Sequence, residues 1–139
     1  MAAMILSPYL GFDGQCEEAF RFYQTVLNGQ ITAMIPFGET PAASAMPADK
    51  QNAIVHARME FGGNVLMGGD APPGVHTGTK GVCISLVIND EAEAERVFTA
   101  LAEGGTIQMP FAQTFWAHRF GMATDRFGTP WMVNCETAA

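Results

Sequence analysis

Three histidines, three cysteines and a C-terminal segment rich in tryptophan and methionine are the groups in this chain with chemistry to offer. The densest run is Thr114-Phe-Trp-Ala-His-Arg-Phe-Gly-Met-Ala-Thr-Asp-Arg-Phe-Gly-Thr-Pro-Trp-Met-Val-Asn134. It alternates as a strand does, turns at Asp125-Arg-Phe-Gly128, and alternates again. Period 2 predicts Trp116, His118, Phe120 and Met122 on one face of the first strand, and Met132 with Asn134 on one face of the second. Indole, imidazole, thioether and amide groups in one hairpin suit the wall of a small-molecule pocket. There Trp116 would stack on a flat ligand while His118 and Asn134 fix its orientation. The same pattern fits a packed core hairpin with one satisfied histidine.

The remaining candidates are scattered. His56 lies mid-strand in Ala53-Ile-Val-His-Ala-Arg-Met-Glu60, sharing a face with Ile54 and Arg58; it reads as a pocket residue or as a strand histidine paired with a neighbour. His76, in a Gly/Pro-rich stretch, reads as solvated. Cys83 is the candidate nucleophile, but a reactive thiolate needs a cation or a helix N-terminus nearby. Val82 and Ile84 supply neither, so an inert buried thiol is expected. Asp70, after Gly68-Gly69, and Asp125 read as turn caps. Glu91, Glu93 and Glu95 read as a solvated face at the positive end of a helix. A metal assembled from His56, His118, Asp70 and Glu60 would need a proximity that their spacing does not demand.

Composition narrows the function classes. The chain has 139 residues, 48% hydrophobic and 15% charged, which suits one domain with a large core. A formal charge of −7 and no basic run argue against nucleic acid and anionic membranes as partners. No apolar run is long enough to span a membrane, and no secretion signal is apparent, so the cytoplasm is the expected compartment. Cys16, Cys83 and Cys135, odd in number and far apart, read as reduced thiols.

The elements that must position these groups come twice. A strand over Met4–Phe12, a helix over Gln15–Asn28 and strands over Gln30–Phe37, Ala53–Phe61 and Asn64–Gly69 make the first set. Thr40–Gln51 reads as an exposed, mobile loop. After a linker at 72–79, a strand over Val82–Asn89 leads to a helix capped by Asp90, with Glu93 completing a capping-box pattern. A strand over Thr106–Phe111 and the opening hairpin complete the second set. The halves overlay at an offset of roughly 75 residues. The expected fold is therefore α+β: two βαβββ modules, about 1–71 and about 80–139, forming a curved mixed β-sheet cleft within one domain.

The chain resembles the PhnB-like branch of the vicinal-oxygen-chelate (VOC) superfamily, which includes glyoxalases, ring-cleaving dioxygenases and bleomycin-resistance proteins. The resemblance is carried by Pro8-Tyr-Leu-Gly-Phe12, Cys16-Glu-Glu-Ala-Phe20 with Phe22-Tyr23, Leu66-Met-Gly-Gly-Asp70, Phe115-Trp-Ala-His118, Asp125-Arg-Phe-Gly128 and Trp131-Met-Val-Asn134. Catalytic members hold one divalent metal with side chains from the first and fourth strands of each half. Carried over, those positions fall at Ser7 (or Pro8), Met67, Cys83 and Met132, none of them a histidine or carboxylate.

The resemblance thus implies a homodimer that binds a small, partly apolar molecule, with no cofactor expected. His56, Met67, Cys83, Trp116, His118, Met132 and Asn134 are the pocket candidates, and no catalytic residue is assigned. The alternative is a divalent-metal-dependent lyase, isomerase or dioxygenase with a displaced ligand set. A pure dimerisation module is the third reading. Some members of the branch are labelled demethylubiquinone methyltransferase-like, but no strand-linked glycine-rich loop for a methyl donor is present.

Overall fold

A computed structural model describes residues 3–137. The order is β1 (Tyr9–Phe12), α1 (Cys16–Leu27), β2 (Gln30–Pro36), β3 (Ile54–Phe61), β4 (Asn64–Asp70), β5 (Ile84–Val87), α2 (Glu91–Ala102), β6 (Thr106–Ala112), β7 (Arg119–Thr124) and β8 (Pro130–Cys135). The chain divides into two compact units after Gly78. Each unit is a four-stranded mixed sheet with one helix, in the orders β1-β4-β3-β2 and β5-β8-β7-β6. The first strand of each unit runs parallel to the last, and the other pairings are antiparallel. No helix among the described residues is long and apolar enough to cross a membrane.

Both helices form where apolar residues recur at helical spacing. Cys16, Ala19, Phe20, Tyr23 and Val26 bury one face of α1, and Ala94, Val97, Phe98 and Leu101 one face of α2. Helix α1 ends at Asn28, whose left-handed backbone (φ 55°, ψ 45°) suits asparagine. At its start, Gln15 makes no side-chain cap. The cap comes from a distance: Asp70, at the end of β4, accepts from the backbone N–H of Gly14 (2.9 Å) and Cys16 (3.0 Å). Its other oxygen accepts from Ile54 N–H at 2.8 Å. One buried carboxylate thus ties the β1–α1 turn to the start of β3. It supplies negative charge where the helix dipole favours it, and it is more than the turn cap expected from sequence.

In the second unit, Asp90 caps α2 by accepting from Glu93 N–H, but the Glu93 side chain pairs with Arg96 and does not close the box. Asp125 fills its expected turn role, accepting from Phe127 and Thr129 N–H, and it also takes the indole N–H of Trp131 at 2.8 Å.

Two expectations need correction and one needs extending. Strand β1 begins at Tyr9, not Met4. In the parallel register (Tyr9 beside Met67), Met4 and Ile5 would pass the start of β4 at the Gly62-Gly63 turn, while Ser7 and Pro8 contact Val65 and Met67 without forming a ladder. Thr40–Gln51 is largely exposed, as expected, but it is not without structure. Three short 3₁₀ turns occupy it, Met46 is buried, and the Gln51 amide donates to the carbonyls of Ala43, Met46 and Pro47. Strand β7 begins at Arg119, so Trp116 and His118 lie in the loop before it.

Candidate functional site

In each unit the sheet has one face against its helix and one face turned away from it. Glycines identify the faces. A Cβ on Gly68 would lie 2.8 Å from the Phe20 ring, so Gly68 faces α1 and Met67 faces away. Met67 sits between Tyr9 on β1 and Arg58 on β3. The Tyr9 ring stacks on His56, with centroids 6.1 Å apart and planes at 25°. It reaches there because Gly69 has no side chain; a Cβ at Gly69 would stand 2.7 Å from the Tyr9 hydroxyl. That hydroxyl donates to Val55 O at 3.1 Å. Tyr9 is 55% exposed, yet its partial burial raises the phenol above its ordinary value, and Cys16 adds to the rise. His76 is exposed, as its sequence context suggests.

A Cβ on Gly121 would lie 2.6 Å from the Phe98 ring, so Gly121 faces α2 while Phe120 and Met122 face away. The register sets Met132 between Ser85 and Met122, and Asn134 between Val87 and Phe120. The middle of the helix-distal face, across β5, β8 and β7, is therefore two thioethers, a phenyl ring, an isopropyl group, one hydroxyl and one amide, with Met109 of β6 beside Met122. The Asn134 Oδ1 is sealed from solvent and has no hydrogen-bond partner among the described residues. Trp116 packs edge-on against Phe120 at 5.3 Å and against Phe115, from the loop before β7.

The structure sorts the sequence candidates. Met132 and Asn134 share the face just described, and Trp116 borders it through Phe120. His56 and Met67 share the corresponding face of the first unit. Cys83 precedes β5 and is half-buried, not fully enclosed. His118 shares no strand face with Trp116. Its Nε2 bonds Glu91, the first residue of α2, and Arg119 Nε lies 3.4 Å from the same carboxylate. Glu91 is accordingly not part of a merely solvated face.

Strand register pairs other residues with two of the positions implied by the resemblance. Opposite Met67 the register puts Tyr9, not Ser7, whose hydroxyl donates to Val65 O at 2.9 Å. Opposite Met132 it puts Ser85, not Cys83. Tyr9 and Ser85 went unmarked in the sequence because strand register, not residue type, selects them. A phenol, a hydroxyl and two thioethers are a poor set for a divalent metal, which takes imidazole, carboxylate or thiolate donors. Among the described residues, no group of three or more His, Cys, Asp or Glu side chains is placed to hold a metal ion. A separate cavity of about 380 Å³ in the first unit is bordered by Asp13, Glu17, Asp49, Lys50 and Asp70. The Asp70 carboxylate there is already spent on three backbone amides.

Comparison with known proteins agrees with this architecture. A family described as 3-demethylubiquinone-9 3-methyltransferase matches residues 5–134. Protein YjdN of Escherichia coli is 40% identical over 139 residues, covering 94% of this chain and 95% of YjdN. The crystal structure of PA1353 from Pseudomonas aeruginosa superposes with a TM-score of 0.89 at 51% identity, covering 96% of this chain and 98% of that one. A Bacillus cereus PhnB protein, a putative 3-demethylubiquinone-9 3-methyltransferase by its name, shares the fold at 24% identity and a TM-score of 0.79, over 93% of this chain and 97% of that one. With the match running through nearly the whole sequence, the chain belongs to this PhnB-like family, and its two βαβββ units have the fold expected of the VOC superfamily.

Proposed function

We propose that this protein binds a small, partly apolar molecule on the helix-distal face of its second unit, without the metal tetrad of the superfamily's enzymes. Asn134 carries the proposal. A buried acceptor left unpaired costs about 1–3 kcal/mol, and a ligand N–H or O–H that displaces the side chains covering it would recover that cost. Apolar surface with one placed polar group is the usual form of a small-molecule site, and methionine adapts to irregular ligands. Trp116 at the border offers a stacking surface. The donor chemistry at Tyr9, Met67, Ser85 and Met132 supports binding over metal-assisted lyase, isomerase or dioxygenase chemistry. Methyl transfer is not part of the proposal, because neither β–α junction carries a glycine-rich loop.

Trp116 is 50% exposed whereas Trp131 is 1% exposed, so a ligand on this face should perturb the emission of one indole only. A screen of small partly apolar compounds by tryptophan emission should yield binders whose signal disappears in Trp116→Phe. Their affinity should fall in Asn134→Ala by about tenfold, the worth of one hydrogen bond to a buried amide. Binders that ignore both substitutions would overturn the site. Stoichiometric divalent metal in protein purified without chelator, lost on His56→Ala or His118→Ala, would overturn the metal-free reading.

A further inference from the structure

Trp116 stands on a loop, yet a stacking surface is useful only if it is held still. Residues 113–118 form no regular element between β6 and β7. Within the loop, Thr114 provides local closure: Ala117 N–H donates to Thr114 Oγ1 at 3.1 Å, and Thr114 N–H donates to Ala117 O at 3.2 Å. That fixes the loop's shape but does not attach it to the fold. The attachment lies at the next two residues. His118 Nε2 bonds the Glu91 carboxylate on the first turn of α2, and Arg119 adds its guanidinium 3.4 Å from the same oxygen. Arg119 Nη1 also donates back to His118 O at 2.9 Å, bracing the backbone between them. The imidazole is largely covered, with 24% of its side chain exposed.

We infer that His118, Glu91 and Arg119 form a latch that docks the Trp116 loop onto helix α2, making His118 a positioning residue for the Trp116 surface and not a ligand contact. The imidazole and the indole diverge from the one short loop: Ala117 between them is buried, His118 reaches the helix, and Trp116 reaches Phe120. Breaking the contact to Glu91 frees the hinge end of the loop while the Thr114 closure survives. The indole then swings as part of a small rigid body. Loop motion of this kind falls on the nanosecond-to-microsecond scale, whereas a docked indole follows the tumbling of the whole protein.

The inference rests on reading the Trp116-bordered face as the ligand site, but its test needs no ligand, so the two fail separately. Time-resolved anisotropy of Trp116, with Trp116→Phe supplying the Trp131 contribution for subtraction, should gain a fast component in His118→Ala. Glu91→Gln should show a smaller gain, since it keeps an acceptor but loses the charge. Glu91 lies on the helix surface, so this variant also serves if His118→Ala fails to fold. The double variant should gain less than the sum of the two single changes, because both weaken the same contact to Glu91, with only the Arg119 pairing left for Glu91→Gln to affect independently. Unchanged Trp116 anisotropy in folded His118→Ala or Glu91→Gln, or additive effects in the double variant, would overturn the latch. A lower melting temperature with unchanged anisotropy would mean that His118 has only a structural role.

Discussion

Replacing Asp70 with asparagine tests how the first unit is held together. The carboxylate accepts three backbone N–H bonds of 2.8–3.0 Å, two on one oxygen and one on the other. Asparagine has one acceptor oxygen, so it can serve Gly14 and Cys16 or Ile54, but not both sides. The orientation that keeps two bonds points an NH₂ group at Ile54 N–H, and Ile54 is 2% exposed, so water cannot substitute. One lost bond and an orphaned buried donor cost about 1–3 kcal/mol, and weakening the two charge-assisted bonds adds about 1 kcal/mol. The expected destabilisation of Asp70→Asn is therefore about 2–4 kcal/mol, or a melting temperature lower by about 6–14 °C for a chain of this size. Urea unfolding followed by circular dichroism measures it, with Asp13→Asn as an exposed control expected within about 0.5 kcal/mol of the parent. If Asp70→Asn matched the control, the carboxylate would not be the clamp we describe.

Two further outcomes follow from the packing. Burial, with Asp70 and Glu17 nearby, holds the Cys16 thiol far above its ordinary value. The folded state keeps a proton that the unfolded chain loses, so this contribution is complete below the unfolded thiol pKa of about 8.5 and falls by up to about 1.4 kcal/mol per pH unit above it. Cys16→Ala should flatten the alkaline slope of unfolding free energy between about pH 9 and 11, and parallel slopes would contradict the assignment. Gly121→Ala should cost about 1–3 kcal/mol by overpacking, because the new methyl would stand 2.6 Å from the Phe98 ring. A neutral result in urea unfolding would mean that Gly121 does not face α2.

Much of the fold could be read from pattern because its signals are local. Helix α1 was expected one residue longer at each end, and the Asp90 cap needed only neighbouring residues. The duplication was visible because β1, α1 and β2 keep nearly constant spacing to β5, α2 and β6. The exposure of Thr40–Gln51 was legible, but its 3₁₀ turns were not, because they are gathered by a single amide, Gln51, reaching three carbonyls, which composition does not reveal. The hairpin was extended too far for another reason. Alternation continues back to Thr114, but β8 ends at Cys135 opposite Arg119, and a strand stops where its partner does. That boundary moved His118 from the expected pocket wall to the helix terminus. It also explains why Tyr9 and Ser85 escaped notice: a shift of two residues preserves the face, so pattern alone could not choose between Ser7 and Tyr9 or between Cys83 and Ser85.

Cys16 in α1 and Cys135 in β8 are both wholly inaccessible, one in each unit. A thiol reagent can reach either only after its own unit opens, so their modification rates time those openings independently. Equal rates at the two sulfurs would mean that the halves come apart in one concerted event. Unequal rates would mean that one half can open while the other stays closed. The duplicated chain thus carries its own pair of stopwatches, needing no added label to record whether its two βαβββ units behave as one cooperative body or as two.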